Sequence, residues 1–327
     1  MTLGKQILYL SQADVVNTGL KMAEIVDAVE QCFVELGHGR VEMPPKPGIH
    51  PGQGGNNFIH AMPASIPAMK SAGVKWVSGY PGNQAKGLPY ITGLLILNDT
   101  ETGIPIAVMD CAWITAMRTG AASAISAKYL ARPESSTIGI LACGVQGHTN
   151  LEAMNVLFPL KKVKAFDTNA AQAKKLAEFA KNLDLGVEIV ADPKRAVTGC
   201  DIVVTSGPIL KIPHATIQPG WMDEGTFASL VDFDSYFSRE SLKEADKWTT
   251  DHIGQYTYYK KVGGYFEDCP EIDAELGELV TGKKKGRENR KQKTFAANLG
   301  LAMDDMAVAP LIYRQAIEKN IGTWLPL

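Results

Sequence analysis

The alternation of apolar and polar positions separates an N-terminal helical region from a β-rich region. Residues 11–39 carry apolar side chains three and four positions apart before a glycine-rich stop, which predicts one helix or a pair of helices. From Met43 to about Ile114, short apolar runs broken by Pro and Gly predict β-strands, and the segment NDTETG predicts a hairpin turn. The first third of the chain is therefore expected to combine helices with a sheet of closely connected strands.

Strand and helix patterns alternate in the second region, which begins with the small-residue helix WITAMRTGAASAISAKYLA. The patterns that follow in chain order are strand STIGILAC, a helix from about Gln146, strand KVKAFD, helix NAAQAKKLAEFAKNL, strand GVEIV, a helix near DPKRAVTG and strand DIVVTS. This alternation predicts an α/β fold with a Rossmann-type, doubly wound parallel sheet. A further strand is expected in GWMDEGTFASLVDFD, and NLGLAMDDMAVAPLIYRQAIEKNIG predicts a long final helix.

Composition is typical of a globular protein. The 327 residues suit two domains, and 45% apolar with 21% charged residues predicts packed cores. A net charge of −2 gives no electrostatic reason to expect nucleic acid, and no uncharged apolar run approaches the ~18 residues of a membrane helix.

The chain contains five cysteines without CxxC spacing, and its N-terminus is unlike a signal peptide. These features predict reduced thiols and a cytoplasmic protein. The basic run 282–293 is expected to be a solvated loop, and the absence of metal-ligand spacing predicts no metal site.

The stretch IGILACGVQGHTNLE, residues 138–152, places a small-residue turn between a predicted strand and a predicted helix. A dinucleotide-binding turn needs close backbone approach to the pyrophosphate and a helix N-terminus that faces it, usually as GxGxxG. Here Gly144 and Gly147 occupy the second and third glycine positions, and Ala142 occupies the first. Asp167 ends the next strand, 23 residues after Gly144, where a carboxylate favours the ribose hydroxyls of NAD over the 2′-phosphate of NADP. NAD is therefore the expected cofactor, and a tight β-to-α connection without a ligand is the alternative.

Six further stretches carry a resemblance to a known family. They are SAGVKWVSGYPGN, GLLILNDTETGIPIAVMD, ITAMRTGAASAISAKYLA, GVQG, AELGELVTG and LGLAMDDMAVAPLIY. In this order, from about Met43 to Tyr313, they resemble the ornithine cyclodeaminase/mu-crystallin family, whose members differ in substrate. The resemblance implies a homodimer in which residues 1–117 and 300–327 form an α+β substrate-binding and dimerisation domain. Residues 118–299 would form the NAD-binding Rossmann domain inserted into it.

The resemblance also implies hydride transfer between a nicotinamide and the α-carbon of an amino acid or its imine. Lys75 matches the pocket lysine expected to hold the substrate carboxylate and polarise the imine, and Arg118 matches the carboxylate-binding arginine, with surface charges as the alternative. The family has a further carboxylate-binding position that is usually Arg, and Lys46 occupies it here. Asp234 matches the acid/base aspartate, and Asp232, expected on the same face of a strand, is the alternative. The expected cofactor contacts are Thr119, Gly144, Val145, Gln146, Gly147, Asp167, Thr168 and Thr205.

His60 departs from the family pattern, because ornithine cyclodeaminases carry a Glu at the matching position to hold the distal amine of ornithine. A histidine does not hold an ammonium group, so the substrate is expected to have a small or acidic side chain, such as that of alanine or aspartate. The expected function is that of an NAD-dependent amino-acid dehydrogenase or imine reductase. The alternatives are an ornithine cyclodeaminase-type lyase, which uses NAD catalytically and releases ammonia, and a non-enzymatic binder. For His60 itself, a structural role is the alternative to a substrate contact.

Overall fold

The computed structural model describes residues 3–52 and 57–327. The strands in these ranges are β1 (Gln6–Leu10), β2 (Gly48–Ile49), β3 (Phe58–Ile66), β4 (Ser71–Gly79), β5 (Ile91–Asn98), β6 (Pro105–Asp110), β7 (Thr137–Leu141), β8 (Lys162–Phe166), β9 (Gly186–Ile189), β10 (Ile202–Thr205), β11 (Phe227–Leu230), β12 (Lys247–Thr250), β13 (Ala274–Glu275), β14 (Thr294–Ala297) and β15 (Thr323–Pro326). The helices are α1 (Gln12–Asn17), α2 (Met22–Gly37), α3 (Ala112–Leu130), α4 (Val145–Leu157), α5 (Ala170–Asn182), α6 (Pro193–Val197), α7 (Arg239–Leu242), α8 (Ile253–Gly263), α9 (Leu276–Val280) and α10 (Ala302–Lys319), with 3₁₀ turns at Pro67–Met69 and Pro81–Lys86.

The backbone divides into two units. The first consists of Met1–Arg118 and Leu301–Leu327, and the second of Thr119–Gly300. Helix α3 runs across the boundary, so its first residues belong to one unit and the remainder to the other. Each unit contains its own sheet.

The sheet of the first unit has the strand order β15-β1-β6-β5-β4-β3-β2. Strands β1 and β6 are parallel, whereas the neighbours from β6 to β2 are antiparallel, as short connections require. The predicted hairpin forms between β5 and β6, where Asp99 Oδ1 accepts a 2.8 Å hydrogen bond from the Thr102 N–H. The predicted helix pair is confirmed as α1 and α2, whereas β1 and β15 lie outside the sequence prediction.

Helix α10 packs against β3, β4 and β5, and α2 packs against α10. The Ser71 hydroxyl in β4 donates a 2.6 Å hydrogen bond to the Met306 carbonyl, which ties the strand to the helix. Strand alternation then sends the other side chains to the opposite face of the sheet. There Trp76 and Leu94 are cross-strand partners and are 53% and 45% exposed.

The sheet of the second unit has the order β13-β12-β14-β11-β10-β7-β8-β9, and every neighbouring pair is parallel. The predicted α/β class with a Rossmann-type parallel sheet is therefore confirmed. Strands β10 and β11 are buried along their whole length, as is typical of a parallel sheet covered on both faces. Chain order reverses at β7, which lies between β8 and β10, so the crevice at the carboxyl ends of β7 and β10 is where such folds bind ligands.

The segment from α7 to β14 lies outside the sequence prediction, apart from the basic run. Residues 282–293 contain no helix or strand and most of them are exposed, which confirms the predicted loop. Arg287 differs from its neighbours, because its partly buried guanidinium donates to the carbonyls of Leu130 and Gln292 at 2.7 and 2.6 Å. Among the described residues, no helix combines the length and apolarity needed to cross a membrane.

Candidate functional site

Lys75 and Asp305 form a buried ion pair in the first unit. Lys75 lies in β4 with its side chain on the face that α10 covers, and Asp305 lies in the first turn of α10. The Lys75 ammonium is 2.6 Å from Asp305 Oδ2, and it donates a 3.2 Å hydrogen bond to the Thr115 hydroxyl. The two side chains are 1% and 0% exposed. A charge buried this deeply requires a partner, which Asp305 supplies.

Arg118 shares Asp305 with Lys75. Its Nε donates a 3.2 Å hydrogen bond to Asp305 Oδ1, and its Nη1 lies 3.5 Å from Asp304 Oδ2. Both aspartates lie in the first turn of α10, where the helix dipole favours negative charge. Sequence reasoning missed these two residues. The available signal was a pair of acids within the otherwise apolar stretch LAMDDMAVAP.

The protonation of Lys75 reflects two opposing effects. Burial lowers the pKa of the Lys75 amine, the neighbouring Asp305 raises it, and the charge of Arg118 lowers it further. Asp305 therefore favours the ammonium form of Lys75, which burial and the charge of Arg118 disfavour. The two predicted carboxylate ligands, Lys75 and Arg118, are thus brought together by one helix that the sequence left without a role.

His60 lies in β3 and stacks on Phe58, with ring centroids 4.5 Å apart. Burial, together with the charges of Lys46, His50 and Lys75, lowers the pKa of His60 to about 3. The ring is therefore neutral at physiological pH, and it adds no charge to the cations near it. Lys46, which is also buried, and Lys75 both act on this ring, so two of the other predicted substrate contacts lie near His60.

The turn between β7 and α4 has the geometry of a phosphate-binding turn. Gly144 is the N-cap of α4, and a Cβ added to it would meet nothing within 4 Å, so a phosphate has room to approach the backbone. A Cβ on Gly147 would lie 2.7 Å from the Ala142 carbonyl oxygen, so this glycine allows the helix to approach the strand. Ala142 itself has φ +70°, in the left-handed region that a glycine occupies without strain. These features fit a dinucleotide, although the first position lacks its usual glycine.

Asp167 follows β8 and supports the same turn. Its Oδ2 accepts a 2.7 Å hydrogen bond from the Cys143 N–H, and its Oδ1 accepts one of 2.7 Å from the Asn169 N–H. An ionised carboxylate has about four acceptor positions, so the remaining lone pairs can receive the two ribose hydroxyls. Burial raises the pKa of the Cys143 thiol to about 12, which argues against a reactive thiolate in this turn.

The other expected cofactor contacts differ in exposure. Val145 is 68% exposed, Thr168 is exposed, and Gln146 is half-buried at the start of α4. Thr119 is the first residue of the second unit and is half-buried in α3. In the part of the chain that the structure describes, no group of three or more His, Cys, Asp or Glu side chains is arranged to hold a metal ion.

Asp232 and Asp234 do not share the face of a strand, so that expectation was wrong. Strand β11 ends at Leu230, and the two aspartates lie in the turn that follows. Phe233 between them has φ +62°, in the left-handed region, so the extended backbone that would put both side chains on one face is interrupted there. The two carboxylates consequently have different neighbours.

Asp232 is fully buried and binds the end of β10. Its Oδ1 accepts a 2.7 Å hydrogen bond from the Thr205 hydroxyl, and its Oδ2 accepts one of 3.1 Å from the Gly207 N–H. Burial raises the pKa of Asp232 to about 7, although these two bonds lower it. Thr205 is itself fully buried, so its hydroxyl supports Asp232, whereas the sequence prediction had it contact the cofactor.

Asp234 has one carboxylate oxygen without a bond. Its Oδ2 accepts a 2.9 Å hydrogen bond from the Phe266 N–H, while its Oδ1 has no hydrogen-bond partner among the described residues. Burial raises the pKa of this carboxyl group, and the bond from Phe266 lowers it. Asp234 also lines a cavity of about 400 Å³ in the second unit, together with Arg239 and Cys269. An acid with a raised pKa and an unused oxygen is suited to proton transfer.

Comparison with known proteins agrees with this arrangement. Residues 7–320 match the sequence profile of the ornithine cyclodeaminase/mu-crystallin family. The alanine dehydrogenase of Archaeoglobus fulgidus is 36% identical over 326 residues, which cover 97% of this chain and 98% of that protein. The solved structure of Thermococcus litoralis Δ1-pyrroline-2-carboxylate reductase with NADH and L-proline is 35% identical, with a TM-score of 0.87, and covers 97% of this chain and 99% of that one. An archaeal alanine dehydrogenase dimer with bound NAD is also 35% identical, with a TM-score of 0.86 and coverage of 98% and 99%.

Proposed function

Because this chain belongs to the ornithine cyclodeaminase/mu-crystallin family, we propose that it is an NAD-dependent oxidoreductase acting on C–N bonds. It transfers a hydride between NAD(H) and the α-carbon of an amino acid or of the corresponding imine. The observation that supports this most strongly is the pair of buried cations, Lys75 and Arg118, held by Asp305. Relatives 35–36% identical over nearly the whole chain include an alanine dehydrogenase and an imine reductase bound to NADH.

The predicted functional residues of each unit have distinct proposed roles. Arg118 and Lys46 bind the substrate carboxylate, and Lys75 holds that carboxylate and polarises the imine. Asp234 exchanges a proton with the substrate nitrogen or with a water molecule, through Oδ1, which has no hydrogen-bond partner among the described residues. Gly144 and the N-terminus of α4 hold the pyrophosphate, and Asp167 holds the ribose. When bound, NAD supplies the hydride acceptor or donor.

The charges favour a substrate that carries a carboxylate. Lys46, Lys75 and Arg118 are three buried cations among the predicted substrate contacts. His60 contributes no charge, because its pKa is lowered to about 3. These cations suit a substrate carboxylate, and they disfavour a second ammonium group on the substrate side chain. Alanine-like and aspartate-like amino acids, or the corresponding imines, are therefore the candidate substrates.

An ornithine cyclodeaminase-type lyase is the second candidate function. It would use the same fold and most of the same residues, so the discriminating feature is the side that receives the distal amine. A neutral His60 stacked on Phe58 provides no anion for that amine. This observation places the lyase behind the oxidoreductase.

We also propose that the protein is a homodimer in the cytoplasm. The first unit presents a sheet face on which the paired Trp76 and Leu94 are 53% and 45% exposed, and such apolar patches mark interfaces. A second copy is the favoured occupant of this face, because an archaeal relative of known structure is a dimer.

The proposed location in the cytoplasm is supported by the cysteines. All five are free thiols, which fits a reducing compartment.

The test is a substrate panel monitored by absorbance at 340 nm. Purified protein is mixed with NADH, ammonium and pyruvate, oxaloacetate or glyoxylate, and in a separate reaction with NADH and Δ1-pyrroline-2-carboxylate. A parallel set contains NAD with ornithine or lysine and is assayed for ammonia. Loss of NADH with an oxo acid or the cyclic imine supports the proposal. Ammonia released from ornithine without net NADH formation would instead establish the lyase.

Two variants serve as controls for the assay. Asp234→Asn is the inactive control. Asp223→Asn changes an exposed aspartate and is the matched active control.

A further inference from the structure

A series of hydrogen bonds connects the ends of β11, β10 and β7 in the second unit. Asp232, after β11, accepts bonds from the Thr205 hydroxyl and the Gly207 N–H at 2.7 and 3.1 Å. Between these two residues, the Ser206 hydroxyl donates a 2.8 Å bond to the Ala142 carbonyl, which lies in the turn after β7. Asp232 is thus joined through three consecutive residues to the proposed phosphate-binding turn.

The turn requires external support because of Ala142. Its φ of +70° is unfavourable for a residue with a Cβ, and strained conformations persist where the surroundings hold them. The Ala142 N–H donates to the Phe166 carbonyl at 2.9 Å, and its carbonyl accepts the bond from Ser206. Bonds on both sides of the residue therefore hold it in the conformation that a glycine would adopt unaided.

We infer that Asp232 is a positioning residue for NAD binding, an inference that rests on the proposed function. By holding Thr205 and Gly207, it keeps Ser206 against Ala142 and preserves the binding conformation of the turn. A direct role in proton transfer is opposed by its environment. Asp232 is 0% exposed and both of its carboxylate oxygens accept hydrogen bonds, whereas Asp234 retains an oxygen without one.

The experiment measures the dissociation constant of NADH by its fluorescence, with no substrate present. Asp232→Ala is expected to weaken NADH binding about tenfold, because Thr205 and Gly207 each lose a hydrogen bond to the carboxylate. Asp232→Asn is expected to remain within about threefold of wild type, because its amide can accept from Gly207 and donate to the Thr205 hydroxyl. The matched control is Asp251→Ala. Asp251 is also fully buried and accepts a 2.7 Å bond from a glycine N–H, that of Gly300, but it follows β12, three strands from β10. The Asp251→Ala variant is expected to bind NADH as tightly as the wild-type protein.

A second pair of variants addresses the turn and does not depend on the folding of Asp232→Ala. Ser206→Ala is expected to weaken NADH binding, and Ser206→Ala with Ala142→Gly is expected to regain most of the loss, because glycine adopts the turn without support. A serine hydroxyl that only contacted NAD would not be rescued in this way. Wild-type affinity in Asp232→Ala, an equal loss in Asp232→Asn, or no rescue by Ala142→Gly would each overturn the inference. Failure of the wild-type protein to bind NADH would instead overturn the proposed NAD dependence.

Discussion

The ammonium of Lys75 lies 2.6 Å from Asp305 Oδ2, with both side chains almost completely buried. The same carboxylate accepts a hydrogen bond from Arg118 through its other oxygen. One aspartate therefore holds both of the cations proposed to bind the substrate carboxylate. This arrangement preorganises the two cations for substrate, because contacts within the protein hold them in place.

Asp305→Asn is expected to lower the free energy of unfolding by about 3 kcal/mol, because it leaves two buried cations with less compensation. Denaturant titration at pH 7 measures the change. The control is Glu188→Gln, which breaks ion pairs with Lys162 and Arg195 among side chains that are 30–66% exposed. That loss is expected to be much smaller, because exposed ion pairs contribute little to stability. Equal losses in the two variants would contradict the importance of the buried pair.

His60 is expected to make folding sensitive to acid. Its pKa is about 3 in the folded chain and 6.5 without the surroundings of the fold. Between these values the unfolded chain binds a proton that the folded chain does not, so stability falls as the pH decreases from 6.5 toward 3. His60→Gln should remove this contribution. Thermal denaturation of both proteins across that pH range checks it, and parallel curves would show that His60 is not responsible.

His60→Glu is expected to move substrate preference toward amino acids with a distal amine. A carboxylate there attracts an ammonium group, and it also offsets the positive charges of Lys46 and Lys75, which act on this position. KM for ornithine should decrease and KM for alanine should increase, each by about tenfold. His60→Gln is the neutral control, with little change for ornithine. An unchanged ratio of the two KM values would remove His60 from the specificity site.

Asp167→Asn is expected to raise the ratio of NADPH to NADH affinity by about tenfold or more, because the negative charge that repels a 2′-phosphate is lost. The amide oxygen can still accept a hydrogen bond from the Cys143 N–H, so the turn keeps part of its support. Fluorescence titration with both nucleotides measures the ratio. Asp192→Asn removes an equivalent charge near the end of the neighbouring β9, and it should leave the ratio unchanged.

Trp76→Glu is expected to produce a monomer, because it places a charge in the apolar face that we propose a second copy covers. Light scattering coupled to size exclusion measures the mass. Val262→Glu is the control, since Val262 is 66% exposed on α8 of the second unit. A dimeric Trp76→Glu protein would exclude this face as the interface.

The sequence by itself determined the features that depend on residues close together along the chain. The order of β7, glycine turn and α4 could be predicted, because strand and helix periodicities and the Gly144 and Gly147 spacing are local. The parallel sheet followed from the alternation of these patterns. Lys75 and Arg118 could be singled out because the stretches that contain them resemble those of a known family, although their buried partners could not.

The tertiary structure decided which distant residues share an environment. Asp305 is 187 residues from Arg118, and it reaches that residue because α10 packs against the sheet that carries Lys75. The charge of His60 was likewise settled by burial and by two lysines from other segments. The different roles proposed for Asp232 and Asp234 follow from the left-handed backbone of Phe233, which no periodicity indicates. Hydrogen-bond partners, dielectric surroundings and strained dihedral angles arise from long-range packing, and local sequence patterns do not encode them individually.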